Sequence, residues 1–286
     1  MPLSRLVHDR AGSGEPVVLI HGIGHRRQAW RPVFDRLATS YDVIALDLSG
    51  FGESAPYPRG ERYDMDNACR DLADNFALWG VERPHVVGNS LGGAISLELA
   101  ARDLVSSATV LSPAGFFGPV DRAWALSALL SMWTSAHAPD PVLRALTRSP
   151  RARAVIGYLL YARPGRHDAD ATYGDAVAMK RAHAFLPTIR AGVTYELDVT
   201  AQALSSVPVT VAWGTLDRLL PYRQAATARR RLPGARHVAL PGSGHVPMSD
   251  DPALICALVE ETVALAVQRR AARTPPRAAA ETVRRS

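Results

Sequence analysis

Six short apolar runs, continuous rather than alternating, constrain this chain more than any other feature. Val17-Val18-Leu19-Ile20, Val43-Ile44-Ala45-Leu46, His85-Val86-Val87 and Ala108-Thr109-Val110-Leu111 come first, and Val209-Thr210-Val211-Ala212-Trp213 and His237-Val238-Ala239-Leu240 follow later. A strand apolar on both sides must be covered on both sides, which a parallel sheet sandwiched between crossover helices provides. Between the runs, Met65, Ala68, Cys69, Leu72, Ala73 and Phe76 form a helical stripe over 65–79 that stops at Gly80. Residues 91–102 and 251–267 also read as helices. The expected fold class is therefore α/β, a mostly parallel, doubly wound sheet.

The rhythm breaks over 115–203, where strand runs vanish and the helical stretches Trp124–Trp133 and Val142–Tyr161 are separated by Pro, Gly and charged loops. The expected organisation is a core of 1–114 and 204–268, an inserted helical cap over 115–203 and a basic, disordered tail over 269–286. A chain of 286 residues is long enough to bury such a core.

The net charge of +6 invites a nucleic-acid partner, but six arginines lie in the last eighteen residues beside the single acid Glu281, leaving a body near +1. A nearly neutral body argues against nucleic acid and for a small-molecule substrate. Cys69 and Cys256 fall in helical patterns and read as ordinary buried thiols of a reducing compartment. No signal-peptide pattern opens the chain and no apolar run is long enough to span a membrane, so a cytoplasmic location is expected.

The strongest local signal is Gly88-Asn89-Ser90-Leu91-Gly92-Gly93, between a buried strand and a helix. A nucleophile on a sharp strand-to-helix turn needs small neighbours, because backbone packs closely around it. A serine hydroxyl also needs a base. His245, in Gly242-Ser243-Gly244-His245-Val246-Pro247, follows the last strand run and precedes the last helix, at the sheet edge where open α/β folds bind ligands. An acid must hold the imidazole tautomer; Asp217, just past the 209–213 run, is the candidate, whereas Ser112-Pro113-Ala114-Gly115 after the 108–111 run offers no carboxylate. Asp250 and Asp251 are expected to begin the following helix. Backbone donors for an oxyanion are expected at Leu91 and, in the loop His21-Gly22-Ile23-Gly24, at Ile23. His21 reads as a structural hydrogen-bonding residue. No metal-ligand cluster is apparent and no cofactor is required.

These residues resemble the α/β-hydrolase superfamily over nearly all of 3–267. His21-Gly22 after a strand comes first, then Asp47-Leu48-Ser49-Gly50-Phe51-Gly52-Glu53-Ser54, which looks like the family's D-x-x-G-x-G-x-S loop. The turn around Ser90, Asp217 and His245 follow in the family's order. The resemblance implies the α/β-hydrolase fold with a cap, and an enzyme that hydrolyses an ester-type bond of a small hydrophobic substrate through an acyl-enzyme. A serine at the turn sets aside the aspartate-dependent epoxide hydrolases and haloalkane dehalogenases. Two alternatives stay open: carbon–carbon bond hydrolysis or a lyase reaction by the same residues, and a ligand receptor without turnover. The Gly-Asn-Ser-Leu-Gly-Gly turn looks like that of carbon–carbon hydrolases, but their H-G-x-G-P-G-A loop is here His21-Gly22-Ile23-Gly24-His25-Arg26-Arg27.

In the family the cap covers the site. Candidate lining residues are Phe116, Phe117, Trp124, Trp133, Tyr158 and Tyr161, with Val246 and Met248 near His245. Each could instead serve cap packing. Arg26 and Arg27 either meet an anionic substrate or face water.

Overall fold

Period-two alternation sorts each apolar run onto two faces, and the two faces build two separate cores. In the computed structural model, which describes residues 1–273, the strands are β1 (His8–Ala11), β2 (Pro16–Ile20), β3 (Asp42–Leu46), β4 (His85–Asn89), β5 (Ser107–Leu111), β6 (Val209–Gly214) and β7 (Arg236–Leu240). They form one sheet in the order β1-β3-β2-β4-β5-β6-β7, parallel except for β1. The order turns back at β2 and β4, so loops leaving these two strands diverge and open a crevice at the carboxyl edge.

The helices are α1 (Arg31–Leu37), α2 (Met65–Leu78), α3 (Leu91–Ala101), α4 (Pro119–Ala136), α5 (Asp140–Arg148), α6 (Pro150–Ile156), α7 (Ala169–Arg181), α8 (Phe185–Thr194), α9 (Gln224–Arg231), α10 (Pro247–Asp250) and α11 (Pro252–Arg273). Val18, Ile20, Ile44, Val86 and Val110 pack under α2 and α3, through Leu72, Phe76, Ile95 and Leu99. Their neighbours Val17, Leu19, Val43, Ala45 and Val87 pack on the other side, against Val33 and Leu37 of α1 and Ile255 and Val259 of α11.

The ends of α2 follow from its sequence. Asp64 accepts the Asn67 N–H at 2.9 Å to start it. Gly80, at φ +68°, stops it: the Gly80 N–H donates to Ala77 and the Val81 N–H to Phe76, the paired bonds of a Schellman end. The edge strand β1 reads His-Asp-Arg-Ala and carries no apolar signal. Pairing with β3 and the Arg10–Asp42 ion pair hold it, and its charges guard the sheet edge.

Five helices, α4 to α8, lie between β5 and β6. The stretch Trp124–Trp133 falls within α4. Val142–Tyr161 is not one helix: Pro150 cannot donate a backbone bond, so α5 ends at Arg148 and α6 starts anew with Ser149 capping the Ala152 N–H. At the C-terminus α11 runs on through Arg269 and Arg270, and Arg270 pairs with Glu15. Residues 269–273 belong to a helix and not to a tail, while 274–286 of the expected disordered tail lie outside the described residues. Among the described residues no helix is long and apolar enough to cross a membrane.

The loop after β3 is built around Asp47. Its fully buried carboxylate accepts the Arg27 N–H and Arg27 Nη1 (both 2.6 Å) and the Glu53 N–H (2.9 Å). Gly52, at φ +53°, has no room for a Cβ, which would sit 2.2 Å from the Asp47 carboxyl carbon. Removing one partner of a buried ion pair leaves the other uncompensated. Asp47→Ala is therefore expected to lower the unfolding free energy by about 3–5 kcal/mol, read from urea unfolding. A change below about 1 kcal/mol would mean that the pair organises nothing.

Candidate active site

Ser90 sits between β4 and α3 with φ +55° and ψ −112°, a conformation few L-residues adopt. Three backbone bonds fix it: its N–H donates to Leu111 at 3.0 Å, and its carbonyl accepts from Ala94 and Ala114, each at 3.0 Å. The glycines explain how the turn closes. A Cβ on Gly88 would lie 2.1 Å from the Gly92 carbonyl oxygen, and one on Gly92 would lie 2.1 Å from that of Ile20. A Cβ on Gly22 would come within 3.2 Å of the Ser90 Cβ, so the loop after β2 runs directly beside the serine.

The loops after β6 and β7 bring Asp217 and His245 together, with His245 Nδ1 2.8 Å from Asp217 Oδ2 and both side chains almost wholly buried. The second carboxylate oxygen accepts the Leu219 and Leu220 N–H groups at 3.0 and 2.8 Å, which fixes the carboxylate plane. An ionised carboxylate can only accept, so a neutral imidazole bonded to it through Nδ1 has its proton there and its lone pair on Nε2. Asn89, the residue before Ser90, donates to the His245 carbonyl at 2.9 Å and to that of Leu111 at 3.0 Å. It ties the histidine loop to the serine turn.

Asp250 departs from its expected place at a helix start. It accepts the Gly244 N–H at 2.8 Å and the Ala162 N–H at 3.1 Å, clasping the histidine loop to the segment after α6. Asp251 does cap α11, through the Leu254 N–H. The Ile23 and Leu91 N–H groups have no protein acceptor among the described residues, and both residues line the same cavity as Ser90.

That cavity has a volume of about 1160 Å³. Of the eight expected lining residues Phe117 borders it. Phe116 is buried edge-on against Trp213, Tyr161 is buried against His167, and Val246 and Met248 are buried in the core on the α1 and α11 side. Trp133 stacks on Phe185, while Trp124 and Tyr158 are exposed, Tyr158 beneath the Arg218 guanidinium. The aromatic signal belongs largely to packing among the helices. The walls are instead Ile95 of α3, Leu126 and Leu129 of α4, Tyr195 after α8, and Leu219 and Leu220 beside Asp217. Ile95 could have been found from its one-turn spacing to Leu91. The others carry no local signal.

Arg26 and Arg27 are both half-buried and ion-paired within the protein. Arg26 pairs with Asp175 of α7 at 3.0 Å, and Arg27 bridges Asp9, Asp47 and Glu53. His25 between Asp175 and the site is buried, and burial holds its pKa below the ordinary value. Burial likewise pushes the Cys69 thiol up to about 12. Among the described residues no cluster could hold a metal ion.

His21 is enclosed, with Nδ1 2.7 Å from the Gly22 carbonyl and Nε2 accepting the Leu48 N–H at 3.0 Å. Burial, opposed by Asp47, lowers its pKa to about 4. The folded ring thus stays neutral through a window where the unfolded one, near 6.5, takes up a proton. Its contribution to stability is complete above about pH 6.5 and is lost as pH falls towards about 4. His21→Asn should flatten the pH dependence of urea unfolding in that window by about one proton; an unchanged slope would show that His21 does not titrate this way.

A family model described as the alpha/beta hydrolase fold matches residues 15–252. An uncharacterized protein of Mycobacterium tuberculosis is 31% identical over 260 residues, covering 87% of this chain and 75% of its own. Lipase 3 of a Moraxella species is 26% identical over 244 residues, 82% of this chain and 73% of the lipase. Among solved structures, a membrane phospholipase A described as a bacterial virulence factor superposes with a TM-score of 0.72 at 25% identity, over 92% of this chain and 86% of that one.

Proposed function

Given that the chain belongs to the alpha/beta hydrolase family, we propose that it cleaves an ester-type bond through an acyl-enzyme on Ser90, with His245 as base and Asp217 as its partner. The observation that carries this reading is the buried Asp217–His245 pair, 2.8 Å long, tied through Asn89 to a serine in the left-handed region. His245 Nε2 accepts the Ser90 proton as Oγ adds to the ester carbonyl. The imidazolium is stabilised by Asp217, whose charge is already fixed by two backbone donors and needs no rearrangement during the step. The oxyanion is received by the Leu91 and Ile23 N–H groups, for which the protein supplies no other acceptor among the described residues. The proton then passes from His245 to the departing alcohol, and a water deprotonated by the same ring releases the acid.

The lipase and phospholipase likenesses support an ester-type bond, and a likeness over 37% of this chain to a 2-hydroxy-6-oxo-6-(2'-aminophenyl)hexa-2,4-dienoic acid hydrolase, 39% identical there, supports the carbon–carbon alternative. The cavity wall supports a largely apolar acyl or alcohol part, through Ile95, Leu126, Leu129 and Leu219.

Ser90→Ala is expected to abolish both p-nitrophenyl ester hydrolysis and labelling by a fluorophosphonate, and Asp217→Asn to lower kcat about 10⁴-fold by disfavouring the productive tautomer. Undiminished ester hydrolysis in Ser90→Ala would overturn the reading. A strong preference of the wild-type protein for vinylogous diketone acids over simple esters would move it to carbon–carbon hydrolysis.

A further inference from the structure

The cavity beside Ser90 is not apolar throughout. It follows one face of α3, where Leu91, Ile95, Glu98 and Arg102 all line it, at the spacing that stacks side chains along a helix. Glu98 lies seven residues from Leu91, about 10 Å along the axis at 1.5 Å per residue. Its side chain is only 11% exposed, an unusual setting for a carboxylate on an otherwise apolar helix.

Glu98 is held on both sides. The Tyr195 hydroxyl donates to Oε1 at 3.3 Å, and Arg102 Nη2 lies 3.4 Å from Oε2 while also bonding Asp66 at 2.8 Å. A carboxylate offers about four acceptor positions, and these are its two side-chain contacts among the described residues. Acceptor capacity therefore remains towards the cavity. Six of the lining residues are acidic and four are arginines, so the walls disfavour a second negative charge. Burial raises the Glu98 carboxyl above its ordinary range, with Arg102 and Tyr195 opposing. Burial also raises the Tyr195 phenol, which keeps it a donor.

We propose that Glu98 is a specificity-determining residue that selects acyl groups ending in a hydrogen-bond donor, a hydroxyl or an ammonium, over those ending in a carboxylate. The inference rests on the reading of Ser90 as the nucleophile. An extended chain covers about 3.5 Å per three bonds, so an acyl group of about nine carbons with its end group spans the roughly 10 Å of helix between Leu91, the neighbour of Ser90, and Glu98. A methyl-ended chain of that length desolvates the carboxylate without replacing its water, a carboxylate-ended chain adds repulsion, and a donor-ended chain completes the shell.

The test uses p-nitrophenyl esters of one acyl length, about nine carbons, ending in methyl, hydroxyl, ammonium or carboxylate. The wild-type protein should favour the ammonium- and hydroxyl-ended esters over the carboxylate-ended one by about tenfold or more in kcat/KM, with most of the difference in KM. Glu98→Gln should shrink the ammonium-to-carboxylate ratio to about threefold or less. Tyr195→Phe, which leaves the carboxylate in place, should preserve or widen it. Equal or reversed preference in the wild-type protein overturns the assignment whether or not the Gln variant folds. So does an unchanged ratio in Glu98→Gln, or its collapse in Tyr195→Phe. p-Nitrophenyl acetate is too short to reach Glu98 and reports on Ser90 separately: no hydrolysis of it would overturn the ester reading itself, whereas hydrolysis without end-group preference would overturn only the role of Glu98.

Discussion

The turn at Ser90 stores backbone strain of about 1–3 kcal/mol, and much of the surrounding structure serves to hold it. The serine N–H is spent on β5 and its carbonyl on α3 and the loop after β5, so the residue is bonded to three elements at once. Gly88 and Gly92 let β2, β4 and α3 approach to distances that no side chain would permit, and Gly22 lets the loop after β2 run close beside the serine. A Cβ at either of the first two would drive the sheet and α3 apart. The strain is thus sustained by the central pairing of β2, β4 and β5, whose interiors are fully buried.

Around that turn, buried polar groups do what apolar packing cannot: they give loops a single conformation. Asp47 gathers three donors, His21 joins the loop after β2 to the one after β3, and Asn89 and Asp250 bracket His245 from opposite sides. Each network is close to satisfied, the condition under which buried polarity rigidifies a structure and does not weaken it. The loops at the carboxyl edge are consequently fixed although they carry no regular secondary structure.

The legible parts of the sequence were those whose signal is local. Runs buried on both faces announced the central strands, and the stripe from Met65 to Phe76 with Gly80 beyond it announced α2 to within a residue. Ser90, Asp217 and His245 stand out as candidates because strand ends and small residues mark them. What escaped is what distant pairing decides. β1 is polar and exists through its register with β3. The break between α5 and α6 was marked by Ser149-Pro150, yet the apolar residues on either side masked it. The cavity wall was the least legible: aromatic residues are conspicuous in a sequence, but Trp133 and Phe116 are consumed by Phe185 and Trp213. Glu98 was hidden by lying in a helix whose face is assigned only once α2 and Tyr195 are in place.

Two glycines show how the helices over the site are set against the sheet. Gly174 stands in the middle of α7, where glycine costs about 1 kcal/mol relative to alanine. A Cβ there would lie 2.1 Å from the Arg26 guanidinium, which crosses the helix backbone to reach Asp175, the next residue. Gly24, at φ +72°, lies beneath Met179 and Phe185, where a Cβ would come within 2.8 Å of the Met179 methyl. The segment that carries Ile23 is therefore pinned from above by α7 and α8 and from the side by the Ser90 turn. The Arg26–Asp175 pair and the contacts of Gly24 with Met179 and Phe185 dock α7 and α8 on residues 22–26. Of these two helices α8 also borders the cavity, through Pro187, Ile189 and Thr194, and α7 does not, so the loop beside Ser90 is held both by a helix of the cavity wall and by one outside it.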